Sequence, residues 1–324
     1  MTSPRIMLIL TENATVVDPR DLGTLVDWAE TAEGLGVDGI MLSDHLTLGP
    51  SAGASGRESN PRAYAMPGNQ DPATAWPDSI VLLSAIAART STVRLFAGAL
   101  ITPLRHPVQV AKQLASLDLL AEGRLIVQPT VSWHRDEYEH LGVPFDQRGR
   151  ILDEQLEIWR RVWAHSPADF AGRYFAFDDL YLEPKPFRPT GPRLWFGGQR
   201  LSEPILRRLV EYGTGFHPLG APPPEDLARL RDRLTAAGRS PSEVELIGGI
   251  RAVFPDDDHP SSLEDGLASI PPQIEHGFTT FCVKPNQFID RARDFEPFIT
   301  DLVAGFAELT VGTGPAAPQS SQGH

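Results

Sequence analysis

The chain has 324 residues, one cysteine (Cys282) and a formal net charge of −13. A single cysteine excludes an intrachain disulfide, and the acidic balance without a basic patch argues against nucleic acid or an anionic membrane as a partner. No apolar stretch approaches the roughly 18 residues of a membrane span, and the N-terminal run MTSPRIMLIL is too short for a signal peptide. We therefore expect a cytoplasmic protein that engages neither nucleic acid nor membranes.

Short apolar runs alternate with longer segments of helical period along the chain. The predicted strands are 5–10, 38–43, 93–101, 124–132, 193–198, 214–220, 244–254 and 278–285. The predicted helices are 18–36, 77–90, 106–123, 146–164, 202–213, 224–238, 262–277 and 289–309. Residues 172–187 alternate aromatic and polar side chains, which is typical of a small hairpin. About eight strand–helix alternations favour a parallel sheet.

Eight such units in a chain of this length predict an α/β fold, a (β/α)8 TIM barrel with insertion loops, in a single domain over residues 1–309. The alternative is an open doubly wound sheet, which usually carries a glycine-rich first turn; the first turn here is LTENATVVD. The connections 47–77 and 165–192 predict insertions of the kind that form lids or pocket walls. Residues 310–324 are small, polar and rich in proline and glycine, which predicts a disordered tail.

The second predicted strand runs into GIMLSDHL, residues 39–46, where Asp44 and His45 stand side by side after a buried run. Sites in such barrels form at the C-terminal ends of the strands. A carboxylate beside an imidazole can raise its basicity and orient it for proton transfer. We therefore predict His45 and Asp44 as catalytic residues. The alternative is that Asp44 anchors the next loop and His45 only packs.

A second candidate segment, VSWHRDEYEHLGVPFDQRGR, follows the fourth predicted strand at residues 131–150. Trp133 is placed to form an aromatic wall, and Ser132 with its backbone to meet a ligand. The mixed-charge run at 134–137 is better explained as a solvated helix start with ion pairs.

A third segment, LWFGGQRLSEP, puts Gly197 and Gly198 after an apolar strand, where bare backbone can approach a ligand closely. Ser202 as N-cap and Pro204 in the first helical turn would complete a cradle for an anion. The alternative is that the two glycines only form a turn. His217 is a further candidate at the barrel mouth, although a lone histidine there more often packs.

Several catalytic signatures are absent from the sequence: there is no H-E-x-x-H, no spaced Cys/His set, no G-x-S-x-G and no Walker loop. Cys282 lies in an apolar strand and is expected to be core. We predict no metal site, which leaves cofactor-borne or acid–base chemistry.

In combination, four segments resemble the bacterial luciferase-like superfamily of flavin and deazaflavin oxidoreductases. They are AEGLGVDGIMLSDHL (32–46), ITPLRHPVQVAKQLASLDLLAEGRL (101–125), SWHRDEYEHLGVPFDQRGRILDE (132–154) and FGGQ with its following helix. The resemblance implies a TIM-like barrel with a flavin-type ring in its mouth, and it is strongest to members that use the deazaflavin coenzyme F420.

By this resemblance, the motif Ser43-Asp44-His45 lies on the cofactor side, with His45 handling a proton or contacting the ring. The FGGQ motif, Gly197, Gly198 and Gln199, would hold the phosphate-bearing tail, and Ser132 and Trp133 would also contact the cofactor. The cofactor supplies the hydride chemistry, and the protein supplies position and electrostatics.

One departure from the family pattern concerns the segment after the fourth strand, which is QPTVSWH instead of a glycine-rich stretch. Trp133 stands about where sugar-phosphate dehydrogenases of this group place an acid. An organic substrate bounded by Trp76 and Trp133, with His217 in the pocket, is therefore expected.

Three hypotheses for function follow. The first is an F420-dependent oxidoreductase acting on a small organic molecule. The second is an FMN-dependent luciferase-like monooxygenase that uses reduced flavin and oxygen. The third is a non-catalytic cofactor-binding barrel. Pairing into a homodimer is possible in any of the three.

Overall fold

The computed structural model describes residues 3–311, and its eight-stranded closed barrel confirms the predicted (β/α)8 architecture. The barrel order is β1-β10-β9-β8-β7-β4-β3-β2, with all neighbours parallel. The barrel strands are β1 (Arg5–Ile9), β2 (Gly39–Leu42), β3 (Arg94–Ile101), β4 (Leu125–Thr130), β7 (Arg193–Gly198), β8 (Gly213–Pro218), β9 (Glu245–Gly249) and β10 (Thr280–Val283). A separate antiparallel hairpin pairs β5 (Ala168–Ala171) with β6 (Ala176–Leu180), slightly earlier in the chain than predicted.

Helices surround the barrel, and the longer ones bury one face against it. They are α1 (Leu22–Gly34), α2 (Ser79–Arg89), α3 (Pro107–Leu120), α4 (Arg135–His140), α5 (Arg148–Ala164), α6 (Glu203–Tyr212), α7 (Pro224–Ala236), α8 (Leu263–Ala268), α9 (Pro271–Glu275) and α10 (Phe295–Val311). On α5, the predicted apolar stripe of Ile151, Leu152, Leu156, Trp159 and Val162 is fully buried. The helical period of 3.6 residues gathers these side chains on one face.

The barrel interior is filled by every second residue of its strands, because successive side chains point to opposite faces. An apolar cluster occupies its middle, and Cys282 belongs to this core as expected. The cluster consists of Met7, Ile9, Met41, Phe96, Ile126, Trp195, Ile247 and Cys282. The barrel is therefore a packed core with no channel through it, and only its ends are left to bind a ligand.

Three helical boundaries differ from the sequence expectation. The helix predicted over 262–277 is two short helices, α8 and α9, because Pro271 and Pro272 offer no backbone N–H to continue α8. The closing helix begins at Phe295, so that Pro297 lies in its first turn, where a missing N–H breaks no helical hydrogen bond. The predicted disordered tail lies outside the described residues, except that Thr310 and Val311 extend α10.

The insertion at 47–77 folds across the C-terminal end of the barrel. The Asn60 side chain donates to the carbonyls of Asp256 and His259 at 2.9 Å each, after β9. Farther along, the Ala65 N–H donates to the Glu12 carboxylate at 3.1 Å, after β1. These bonds hold the insertion over the barrel mouth as predicted for a pocket wall.

None of the helices within residues 3–311 has both the length and the apolar character that a bilayer crossing would need.

Candidate functional site

His45 lies at the C-terminal end of β2 and faces a carboxylate that comes from a distant part of the chain. Its Nδ1 is 3.1 Å from Oε1 of Glu137, on α4, and the imidazole is 9% exposed while the Glu137 side chain is fully buried. A buried carboxylate on one ring nitrogen fixes the orientation of the imidazole and its tautomer. The other nitrogen, Nε2, is left to interact with a ligand.

Glu137 is held in place by donors from two segments, one after β2 and one after β4. The backbone N–H groups of Leu46 and Thr47 donate to Oε1 at 3.0 and 3.4 Å, and the Ser132 hydroxyl donates to Oε2 at 3.1 Å. Since two N–H groups already donate to Oε1, the carboxylate acts as acceptor and the proton of the His45–Glu137 contact resides on Nδ1. The Glu137 carboxylate thus fixes which ring nitrogen of His45 faces it.

The segment 134–137 is the solvated helix start that the sequence suggested only at Arg135, which is exposed and pairs with Asp146 at 3.2 Å. His134 and Glu137 are fully buried, and the Nε2 of His134 accepts the Gly49 N–H at 2.8 Å. Burial lowers the pKa of His134, which favours its neutral form as an acceptor. Glu137 is the residue that sequence analysis missed. Its signal was a carboxylate in the first turn of a helix directly after a strand.

Aromatic rings surround His45 on the ligand side. The Trp76 ring stands edge-on at 5.1 Å between centroids, and the Trp133 ring at 6.1 Å. The indole Nε1 of Trp76 is buried and forms no hydrogen bond within the described part of the chain. A planar ligand that carries an acceptor at its edge would satisfy this donor.

Asp44 does not support His45, contrary to the sequence expectation. Arg105 binds its carboxylate through two nitrogens, at 2.8 and 3.0 Å, and the Ile101 N–H donates to it at 3.0 Å. The Asp44 side chain is fully buried. It ties the end of β2 to the end of β3, so the alternative of a loop anchor describes this residue.

Ser43 lies inside the mouth and approaches another carboxylate. Its hydroxyl is 3.3 Å from Oε1 of Glu12, and Oε2 of Glu12 is 3.4 Å from the ammonium of Lys284 at the end of β10. Lys284 is 1% exposed, and burial lowers its pKa despite the opposing effect of Glu12. Sequence analysis did not select Glu12 or Lys284, although each directly follows a strand or lies at its end.

His217 lies on the floor of the mouth and packs within the barrel. Its Nδ1 is 2.9 Å from Oε1 of Gln128, and Cys282 Sγ lies 3.9 Å from its Nε2. Burial lowers the pKa of His217 to about 4 and raises that of the Cys282 thiol to about 12. Both groups are therefore neutral at physiological pH.

The Gly-Gly segment at the end of β7 reaches the same end of the barrel, where Gly197 has a role in strand pairing. A Cβ on Gly197 would overlap the carbonyl oxygen of His217, so this glycine is required by the close pairing of β7 with β8. Asp226 accepts the Leu201 N–H at 3.3 Å, and Glu203 lies in the first turn of α6. The Ser202 side chain forms no cap, and Gln199 is exposed.

The predicted residues thus gather at one end of the barrel, but in two groups. One group surrounds Glu137 and consists of His45, Ser132, Trp133 and Trp76. The other lies across the mouth on β7 and β8 and consists of Gly197 and His217.

Within residues 3–311 no group of three or more histidine, cysteine or acidic residues is arranged to hold a metal ion. A separate groove of about 690 Å³ lies outside the barrel, between α3 and the β5–β6 hairpin, lined by Val108, Phe175 and Tyr181 among others.

An α/β barrel with an imidazole–carboxylate pair and an aromatic wall at its mouth belongs to the class of barrels that bind organic ligands at the strand ends. A family model described as luciferase-like monooxygenase matches residues 4–270. The chain belongs to this family, and the resemblance inferred from its motifs is confirmed.

Two relatives of this chain match about half of its length or less, and the name of one of them states a cofactor. The chain is 34% identical to Rv0953c of Mycobacterium tuberculosis over 165 residues, 50% of this chain and 57% of that protein. It is 30% identical to an FMNH(2)-dependent dimethylsulfone monooxygenase of Pseudomonas putida over 139 residues, 42% of this chain and 38% of that protein. Both matches thus cover less than two thirds of the relatives' own length.

Among solved structures, an F420-dependent secondary alcohol dehydrogenase in complex with an F420-acetone adduct superposes with a TM-score of 0.67. The similarity covers 94% of this chain and 99% of the other at 16% identity, so it bears on the fold alone.

Proposed function

We propose that this protein is an F420-dependent oxidoreductase that transfers a hydride between the deazaflavin coenzyme and a small organic substrate. The observation that carries the proposal is the His45 imidazole, fixed through Nδ1 by the buried Glu137 and facing the mouth with Nε2. Hydride transfer to or from an alcohol carbon needs a partner that takes or gives the hydroxyl proton. An oriented imidazole is the side chain best suited to that task near neutral pH.

The residues at the mouth fit a flavin-type ring. Trp133 and Trp76 offer apolar surfaces beside His45, and the unpaired Nε1 of Trp76 matches an acceptor at the edge of such a ring. When bound, the coenzyme supplies the hydride-accepting or hydride-donating carbon. The chain's own contribution is to orient the substrate hydroxyl toward Nε2 of His45 and to exclude water with the insertion at 47–77.

The substrate class follows from the wall of the site. The Trp133 ring stands edge-on to His45, so an apolar or aromatic organic molecule is a better match than a sugar phosphate. The carboxylates Glu12 and Glu137 near the mouth would also repel a substrate phosphate.

The FMN-dependent monooxygenase is the second candidate, and the named relative of Pseudomonas putida favours it. Two carboxylates, Asp226 and Glu203, lie near the expected phosphate cradle, but Arg229 pairs with both and Arg233 pairs with Glu203, so these charges do not discriminate between the two cofactors.

Direct titration separates these candidates. The full chain is titrated with F420 and with FMN, in oxidised and reduced forms, while intrinsic tryptophan fluorescence and visible absorption are monitored. We expect micromolar binding of F420 with quenching of Trp76 and Trp133. Micromolar binding of FMN without binding of F420 would contradict the proposal and favour the FMN-dependent monooxygenase.

A His45→Gln variant tests the catalytic step, with His165→Gln, an exposed histidine, as the matched control. We expect His45→Gln to bind coenzyme and to lose roughly 10²–10⁴-fold in turnover of alcohol substrates, the range of a general acid or base. Full turnover in a variant that still binds coenzyme would remove His45 from the mechanism. Coenzyme binding without turnover of any substrate in the native chain would favour the non-catalytic barrel.

A further inference from the structure

The insertion over the barrel mouth contains a compact loop whose two ends meet. The Ser55 N–H donates to the Gly68 carbonyl at 2.7 Å, and just beyond this point the Gln70 N–H donates to the Ala52 carbonyl at 2.9 Å. Residues 55–68 therefore leave and rejoin the insertion at one narrow neck. This is the shape of an Ω-loop, a kind of surface loop that is frequently functional.

Glycines with left-handed backbone lie at both sides of this neck. Gly56 has a φ of +83° and Gly68 a φ of +86°, a region that residues with a side chain rarely adopt. Hinges of moving segments are a few residues that absorb changes in φ and ψ, and glycine does so at the lowest steric cost. Each end of the Ω-loop thus has a residue able to act as a hinge.

Apolar packing contributes little to holding the Ω-loop on the barrel. Within residues 53–67, all of which the structure describes, no hydrophobic side chain is buried or belongs to the core. Tyr64, the one aromatic residue of this stretch, is 36% exposed. Segments with few buried apolar contacts open locally at a much lower free energy than global unfolding requires.

One buried ion pair at the mouth clamps the tip of the Ω-loop. The Lys284 ammonium, 3.4 Å from Glu12 Oε2, donates to the Ala63 carbonyl at 2.9 Å. The Ala65 N–H donates to the same Glu12 oxygen at 3.1 Å. Between these two residues, the Tyr64 ring lies over the Lys284 ammonium, 4.8 Å from it. The ion pair therefore fixes three consecutive residues of the loop.

The strand end that carries Glu12 is itself strained. Glu12 has a φ of +66°, and the Asn286 side chain holds this backbone by donating to the Glu12 carbonyl at 3.0 Å. Strained residues of this kind cluster at ligand clamps and moving segments. At a second edge, Asn60 and Arg62 bind carbonyls after β9. When the tip lifts, water can solvate the charges of the ion pair, which offsets part of the hydrogen bonding that is lost.

We propose that the Ω-loop, residues 55–68, is a lid that swings about its neck to open the barrel mouth, and that the Glu12–Lys284 ion pair is the latch that holds it closed. The inference rests on the proposed function for the identity of what the lid admits, the F420 coenzyme and its substrate. Opening of the lid is measurable without any ligand.

Hydrogen exchange of single amides, followed by NMR on the full chain without ligand, tests the lid. The Ala65 N–H loses its partner when the lid swings, whereas the Ser55 N–H keeps its partner in the neck. We expect Ala65 to exchange about tenfold faster than Ser55, or more, after correction for intrinsic rates. Glu12→Gln and Lys284→Met should each accelerate exchange at Ala65 by about tenfold or more and leave Ser55 unchanged.

Glu33→Gln is the matched control. The Glu33 carboxylate also accepts backbone N–H groups, among them Ser91 at 2.9 Å, but it does so before β3, at the opposite end of the barrel. This variant should leave exchange at Ala65 unchanged. Equal exchange of Ala65 and Ser55 in the native chain, or native exchange at Ala65 in both latch variants, would overturn the proposal. A latch variant that loses its fold would accelerate Ser55 as well, so the second latch variant then decides.

Addition of F420 separates this inference from the proposed function. We expect bound F420 to slow exchange at Ala65 by about tenfold or more, because the lid closes over it. If F420 binds without slowing that exchange, the lid does not cover the ligand and the inference fails. If F420 does not bind, the proposed function fails, while exchange in the native chain and the latch variants still decides whether the lid exists.

Discussion

At the scale of single residues, two neighbours in the sequence have opposite tasks. Asp44 and His45 are adjacent in the sequence. Arg105 binds the Asp44 carboxylate inside the fold, whereas the His45 imidazole pairs with Glu137 at the mouth. The partner of His45 is Glu137, 92 positions away. Substitutions at these positions should therefore separate stability from catalysis.

We predict that Glu137→Gln lowers turnover by about 10²-fold or more without loss of coenzyme binding. The amide can present its N–H to His45 Nδ1, which favours the wrong tautomer. Steady-state kinetics would measure the loss. Since the two residues act as a unit, the double variant with His45→Gln should be little slower than His45→Gln alone. If the loss of turnover in the double variant equals the product of the two single losses, the two residues act independently.

For Asp44→Asn we expect lower stability by about 3 kcal/mol, because the largely buried Arg105 then keeps, among carboxylates, its longer contact with Asp78, at 3.5 Å. Turnover per folded molecule should change little. Denaturant unfolding followed by circular dichroism gives the free energy, and kinetics on the folded fraction give the activity. If the variant is as stable as the native chain but turns over substrate much more slowly, Asp44 has a catalytic role.

The buried His217 predicts a loss of stability in acid. Its pKa is about 4 in the folded chain and about 6.5 when exposed, so the unfolded state binds the proton first as the pH falls. The contribution of neutral His217 is complete above about pH 6.5 and decreases toward pH 4, where the loss amounts to about 3 kcal/mol. Urea unfolding between pH 7 and 4.5 should show a weaker pH dependence for His217→Gln than for the native chain. Identical slopes would mean that His217 is not held neutral.

At the scale of elements, the space around a glycine determines whether the fold tolerates a larger side chain at that position. Gly197 faces the backbone of β8, where an added methyl group would overlap a carbonyl oxygen. Gly149 lies in α5, and the nearest side-chain atom would be 3.8 Å from a methyl group added there. A methyl group is therefore forbidden at one glycine and accommodated at the other.

We predict that Gly197→Ala destabilises the protein by about 3 kcal/mol, through separation of β7 from β8. Gly149→Ala is the matched control and should be neutral or more stable by about 0.5–1 kcal/mol, because alanine restricts the unfolded chain and favours the helix. Thermal unfolding of both variants would measure the difference. An equally stable Gly197→Ala would show that β7 and β8 can relax apart there.

At the scale of the whole molecule, the closed barrel connects the first strand to the last. β1 pairs with both β2 and β10, so residues near the two ends of the barrel's sequence stabilise each other directly. No half of the barrel has a complete sheet by itself, and a single domain over residues 1–309 stays a prediction.

We therefore expect one cooperative unfolding transition, with calorimetric and van't Hoff enthalpies in agreement. Differential scanning calorimetry at two scan rates would measure both quantities and verify reversibility. Two resolved transitions under reversible conditions would indicate separate folding units.

The sequence by itself determined a parallel sheet covered by helices, since apolar runs alternating with amphipathic helices leave this as the arrangement that buries both faces. It favoured a closed barrel over an open sheet, and the structure confirmed the closure. It also determined that residues after the strands would share one end. Only the tertiary structure decided which of those residues are partners. The Glu137–His45, Arg105–Asp44 and Glu245–Arg94 contacts each join segments separated by tens of residues or more, at distances set by how the strands register and how the loops close. Periodicity encodes the face on which a side chain lies, whereas the identity of its partner depends on packing between elements that are remote in the chain.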